Sequence, residues 1–96
     1  MSFTDYIGRY LSNTGQQAVT ATAAALPNVS AGTVTLKNKV SSSGAVYIGL
    51  AGVTVNTGYE LSPGDSIVMG IANLNEIFVV AAATGSTVCW TVALSS

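Results

Sequence analysis

The chain has 96 residues, of which three are basic and four acidic, so charged side chains make up 7% of it and the net charge is −1. A globular domain ordinarily carries about 25% charged residues, and here Ser, Thr, Ala and Gly take their place. Three scattered bases give no electrostatic footprint for nucleic acid and no basic amphipathic surface for anionic lipid. With no histidine and a single cysteine, Cys89, the commonest general base and any Cys/His zinc site are excluded together, as is an internal disulfide.

The first residues read as a helix. Phe3, Tyr6, Ile7, Tyr10 and Leu11 fall at i, i+3, i+4, i+7 and i+8, which is one apolar stripe. Ser2 and Asp5 stand at capping-box spacing, Asp5 and Arg9 at ion-pair spacing, and Asn13-Thr14-Gly15 supplies a stop. A helix of this length needs a surface to lie on, which is either its own β-domain or a partner. The one boundary falls near Gly15, dividing an arm (residues 1–15) from a single β-domain (residues 16–96). No basic region followed by an apolar run opens the chain, so it reads as made in the cytosol without a signal peptide.

Past Gln16 the texture is that of strands. Ala18–Ala25, rich in Thr and Ala, reads as a strand closed by Leu26-Pro27-Asn28. Thr33–Lys37 alternates with Val34 and Leu36 inward. After the loop Ser41–Gly44, Val46, Ile48 and Leu50 share a face, with Tyr47 opposite. Ser62-Pro63-Gly64-Asp65 fits a type II turn, with Pro fixing φ at the second position and Gly taking positive φ at the third. Ile67, Met69 and Ile71 follow, and Asn73-Leu74-Asn75 turns the chain again. Ile77–Ala81 is apolar on both faces, as in a strand buried on both sides or covered by a partner. Thr84-Gly85-Ser86 then leads into Val88, Trp90, Val92 and Leu94, with Cys89 opposite. The uncharged stretch from Ile77 to the end is broken by Thr and Gly, so it reads as two strands and not as a membrane span. The expected fold is all-β: a small antiparallel sandwich or barrel of six to eight short strands, preceded by the helical arm.

No constellation for catalysis, cofactor or metal emerges. Lys37 and Lys39 read as solvated, Glu60 and Asp65 as the edges of one turn, Cys89 as a packed thiol and Trp90 as a core anchor. Gly49, Gly52 and Gly58 precede no helix, so they form no phosphate cradle. The chain therefore reads as a non-enzyme. Tyr47 and Tyr59 pair an aromatic face with a polar tip beside Gly/Thr loops; as an alternative they would contact a cell-surface glycan in a tail or fibre recognition module.

Taken together, Tyr47-Ile48-Gly49, Gly52-Val53-Thr54, Thr57-Gly58-Tyr59 and Leu61-x-Pro63-Gly64-Asp65-Ser66-Ile67 are followed by Asn73-Leu74-Asn75-x-Ile77-Phe78-Val79 and Gly85-x-x-Val88. This order resembles the small all-β structural proteins of tailed-bacteriophage particles, of head-decoration or cement type, over residues 30–94. The resemblance implies a virion protein made in the host cytoplasm that binds and stabilises the assembled head. Its partners would be the major capsid protein and further copies of itself, with a trimer favoured. Contacts are expected from the arm (Phe3, Tyr6, Ile7, Tyr10, Leu11) and from the two-sided strand (Phe78, Val80).

Overall fold

The computed structural model describes residues 11–94. Eight strands form two four-stranded antiparallel sheets. They are β1 (Leu11–Val19), β2 (Ala24–Ala25), β3 (Thr33–Asn38), β4 (Val46–Gly49), β5 (Tyr59–Leu61), β6 (Ser66–Gly70), β7 (Phe78–Ala81) and β8 (Ser86–Ala93). One sheet has the order β1-β8-β3-β6 and the other β2-β7-β4-β5. Every connection except β4–β5 carries the chain from one sheet to the other. A single buried cluster lies between the sheets. Val34, Leu36, Val88, Trp90 and Val92 face Val46, Ile48, Leu61, Val79 and Ala81 across it. The architecture is thus the expected all-β sandwich, at the upper end of the expected strand number.

Alternation decides which side chains enter that core. In β3 the sequence Thr-Val-Thr-Leu-Lys-Asn buries Val34, Leu36 and Asn38, and in β8 the same period buries Ser86, Val88, Trp90 and Val92. The expected inward residues of these strands, with Val46 and Ile48 of β4, are in place. Leu50 is not: it lies beyond the end of β4 and is 78% exposed, and Leu94 beyond β8 is exposed as well. Alternation stops dictating burial where the ladder stops.

The N-terminal reading needs correction where the structure describes it. Phe3, Tyr6, Ile7 and Tyr10 of the expected helix lie outside the described residues. Leu11, the last residue of the apolar stripe, is instead the first of β1, and the supposed stop at Asn13–Gly15 sits inside that strand. Gly15 does not take positive φ. Its role is spatial: a Cβ there would lie 2.6 Å from Cζ2 of Trp90. The indole lies against the bare backbone of β1 and donates from Nε1 to Asn13 Oδ1 at 3.0 Å. Residues 11–15 therefore belong to the sandwich. Ala18–Ala25 is also not one strand. It comprises the end of β1, a bend, and the two residues of β2, which pair with β7.

Two corners hold the sheets together through polar groups. At Ser62–Asp65 the expected turn forms: Gly64 has φ 93°, the Asp65 N–H donates to Ser62 O at 2.8 Å, and Asp65 Oδ2 accepts from the Ser62 N–H at 3.0 Å. Asn38, fully buried at the end of β3, clamps this corner. Its Nδ2 donates to Leu61 O at 2.8 Å and to Gly44 O at 3.1 Å, while its backbone bonds Gly64 and Asp65. Its Oδ1 is buried and has no hydrogen-bond partner among the described residues. At the second corner Leu74–Glu76 makes one 3-10 turn inside a capping box, with the Asn73 N–H donating to Glu76 Oε2 at 2.9 Å.

Gly15→Ala places a methyl group inside the Trp90 ring. It is expected to lower stability by about 1–3 kcal/mol, the usual cost of overpacking, with the urea m-value unchanged. Trp90 is the only tryptophan, so its emission reports both the unfolding curve and any displacement of the ring. An unchanged midpoint would show that the indole does not depend on Gly15.

Candidate assembly surface

The same alternation that fills the core leaves Thr14 and Gln16 of β1, Thr33, Thr35 and Lys37 of β3, Cys89, Thr91 and Ala93 of β8, and Val68 of β6 on the outer face of the first sheet. The register sets them in rows. Thr14, Thr91, Thr35 and Val68 cross all four strands side by side, and Gln16, Cys89, Lys37 and Ser66 form the next row. Lys37 is the one charged residue in these four strands. Val68 is 63% exposed. A shallow depression of about 390 Å³ runs over this face, lined by Thr14, Gln16, Thr35, Lys37, Cys89 and Thr91 among others. The solvated face of an antiparallel sheet is ordinarily polar and charged. This one offers hydroxyls, methyls, an amide and a thiol, with Lys37 as its single charge.

The outer face of the second sheet is partly covered by its own chain. The β4–β5 connection, residues 50–58, folds back so that Val53 is buried although it stands outside the main core. Bare backbone makes room for it. A Cβ at Gly49 would lie 2.6 Å from Val53 Cγ2, and one at Gly58 would meet both Tyr47 Cβ and Val53 Cγ2 at under 3.0 Å. Thr54 and Thr57 tie the loop through a hydroxyl pair at 3.1 Å and a Thr54 N–H to Thr57 Oγ1 bond at 3.0 Å. The two-sided apolarity of β7 corresponds to burial on both faces, since Val80, beside Tyr47 in the register and outside the main core, is 5% exposed.

The residues singled out in the sequence therefore do not gather at one place. Phe3, Tyr6, Ile7 and Tyr10 lie outside the described residues. Leu11 sits at the head of β1 on the first sheet, while Phe78 and Val80 belong to the second. Val80 is enclosed by the chain itself, which leaves only half-buried Phe78 of that pair within reach of a partner. Tyr47 pairs with Glu60, and Tyr59 with Ile48. Because neighbouring positions along a strand point to opposite faces, the two tyrosines form no common platform for a sugar ring. Asn38 and the Gly15–Trp90 seat are not legible in the sequence because each depends on a contact distant along the chain, and the Gly49–Val53–Gly58 seat because it exists only once the loop has closed.

The carboxylates are engaged locally: Asp65 and Glu76 each close their own turn. Lys39 Nζ donates to Gln16 Oε1 at 3.1 Å, and Cys89 Sγ lies 3.7 Å from Lys37 O. Among the described residues no group of three or more His, Cys, Asp or Glu is placed to hold a metal ion, and no helix is long and apolar enough to cross a membrane.

No family model matches the chain, and no curated protein matches it. Among solved structures, one similar chain comes from Bacillus endospore appendages, described as a novel family of disulfide-linked pili. It is 21% identical, the match covers 86% of this chain and 85% of that one, and the TM-score is 0.46. A likeness of that size carries no argument about role.

Gly49→Ala is expected to push Val53 from its seat and cost about 1–3 kcal/mol. Amide hydrogen exchange in residues 50–58 should accelerate more than exchange in β3 or β8. Uniform acceleration across both sheets would mean that the loop is not a separately closing unit.

Proposed function

We propose that this chain is a structural component of a virion, a capsid decoration or cement subunit that binds and stabilises the assembled head and associates with itself. The observation that carries the reading is the outer face of the β1-β8-β3-β6 sheet: four strands wide, rigidly backed by the core, and bearing one charge. Charge is depleted where surfaces become interface cores, whereas a globular domain ordinarily carries about 25% charged residues. The sequence resemblance to phage decoration proteins supplies the kind of assembly.

The mechanism is binding linkage. A subunit that holds the assembled shell and not its separated parts stabilises the shell by RT ln(1 + [L]/Kd), about 2.7 kcal/mol at a hundredfold excess over Kd. A small domain knit by six strand pairings and two hydrogen-bonded corners suits that task, because little conformational freedom remains to be lost on docking. The partners are then the major capsid protein and further copies of the chain. The protein would be made in the host cytoplasm and retained in the particle.

Gradient sedimentation of particles released from the source culture, followed by peptide quantification, tests this directly. The chain should travel with the particle peak at a fixed ratio to the shell protein. Particles stripped of it should lose their contents at a lower temperature. Recovery of the chain in the soluble fraction alone would overturn the reading.

A further inference from the structure

Among the described residues the sandwich has four open edges, and three of them are short. Strand β2 has two residues, β5 has three and carries Glu60, and β6 has five, with Asp65 just before its first residue. Shortness, charge and proline are the ordinary devices against edge-to-edge pairing. The fourth edge, β1, has nine residues with neither charge nor proline. Its one irregularity, between Leu11 and Asn13, lies at its end, and from Asn13 to Val19 it runs in unbroken register with β8. It is also held rigid from within, by the Trp90–Asn13 bond and by Gln17 Nε2 donating to Ala25 O at 3.2 Å. Such a strand is a ready template for another strand.

We infer that the free edge of β1 pairs antiparallel with β1 of a second copy across a two-fold axis beside Gly15, joining two four-stranded sheets into one of eight. The inference rests on the assembly reading above and names its partner; the two-fold dimer replaces the trimer that the sequence resemblance favours. The strand's own chemistry selects the occupant. A two-fold contact brings the same patch against itself, so any charge on it would meet its like, and Leu11–Val19 has none. A charged partner segment would find no counter-charge there. Gly15 is the midpoint of the nine residues, and a two-fold at that point gives the longest ladder. It places Thr14 opposite Gln16 of the second copy and Ser12 opposite its Ala18, so that the hydroxyl-rich outer faces become continuous.

The test uses the full chain and two variants, Thr14→Lys/Ala18→Lys and Thr14→Glu/Ala18→Glu. Both positions are exposed and point away from the core, and native Trp90 emission confirms that each variant is folded. Absolute mass by light scattering should give twice the chain mass for the native protein. Each variant alone should dissociate at least tenfold more readily, since residue 14 of one copy lies diagonally across from residues 14 and 18 of the other, within reach of long side chains, and like charges there repel. An equimolar mixture of the two should recover the dimer mass. A native oligomer indifferent to both substitutions would overturn the edge pairing while leaving self-association standing. A native monomer at all concentrations, as when residues 1–10 of the same chain cover the edge, would overturn it too, and the particle-sedimentation result would then decide the assembly reading independently.

Discussion

The contact between Trp90 and the bare backbone of Gly15 fixes what the rest of the molecule can be. Strand β8 is paired on both sides, by β3 and by β1, and its indole is the largest side chain in the core. A ring of that size between two sheets about 10 Å apart needs a neighbour without a side chain. Its N–H, once buried, needs an acceptor. Strand β1 supplies both within three residues, glycine for the ring and Asn13 for the nitrogen. The same arrangement makes β1 an outermost strand whose inward positions, Asn13, Gly15 and Gln17, are occupied by tasks inside the sandwich. Among the described residues its other ladder side has no partner strand. Core packing and the unprotected edge are thus two consequences of one contact.

The chain also compensates for having few charges to place. Of the three carboxylates within the described residues, Asp65 and Glu76 accept backbone N–H groups at the turns that carry the chain between sheets. A carboxylate that caps a turn does structural work at low exposure cost, because it satisfies a donor that would otherwise need water. Asn38 performs the corresponding task from inside the core without any charge, holding two carbonyls and two backbone groups of the Pro63-Gly64 corner. What remains for the surface is hydroxyl, methyl and amide chemistry.

Much of the architecture was legible because its cause is local. The period-two runs Thr33–Asn38 and Ser86–Ala93 announce strands and their inward faces, and Ser62-Pro63-Gly64-Asp65 announces its turn through the φ preferences of two residues. Reading failed where a local rule fitted a residue kept for a distant reason. Gly15 after Asn13-Thr14 looks like a helix stop because glycine is the usual residue for positive φ; here it is needed for its missing Cβ, and Trp90 lies 75 positions further along the chain. Leu50 extended an alternation past the last paired residue of β4. The two-sided apolarity of Ile77–Ala81 leaves double burial and a partner equally open, and only the folded chain, in which Val79, Val80 and Ala81 are all buried, decides between them. The assembly surface was least legible, since sequence periodicity marks the faces of a strand and is silent about which strand lies at an edge.

Edges and faces call for different kinds of protection, and this chain protects them unequally. A face with a single charge is tolerated in water when hydroxyls break its apolar area, as Thr14, Thr35 and Thr91 do in one row. An edge without charge is not protected by hydroxyls at all, because its unpaired N–H and C=O groups seek a strand whatever the side chains are. One lysine in β1 would have blunted it at almost no thermodynamic cost, since exposed positions such as Thr14 and Ala18 tolerate substitution within about 0.5 kcal/mol. Stability therefore does not require an uncharged strand in this place. Among the described residues β2 and β5 are margins closed by shortness, and β1 is the longest strand that stands at an edge.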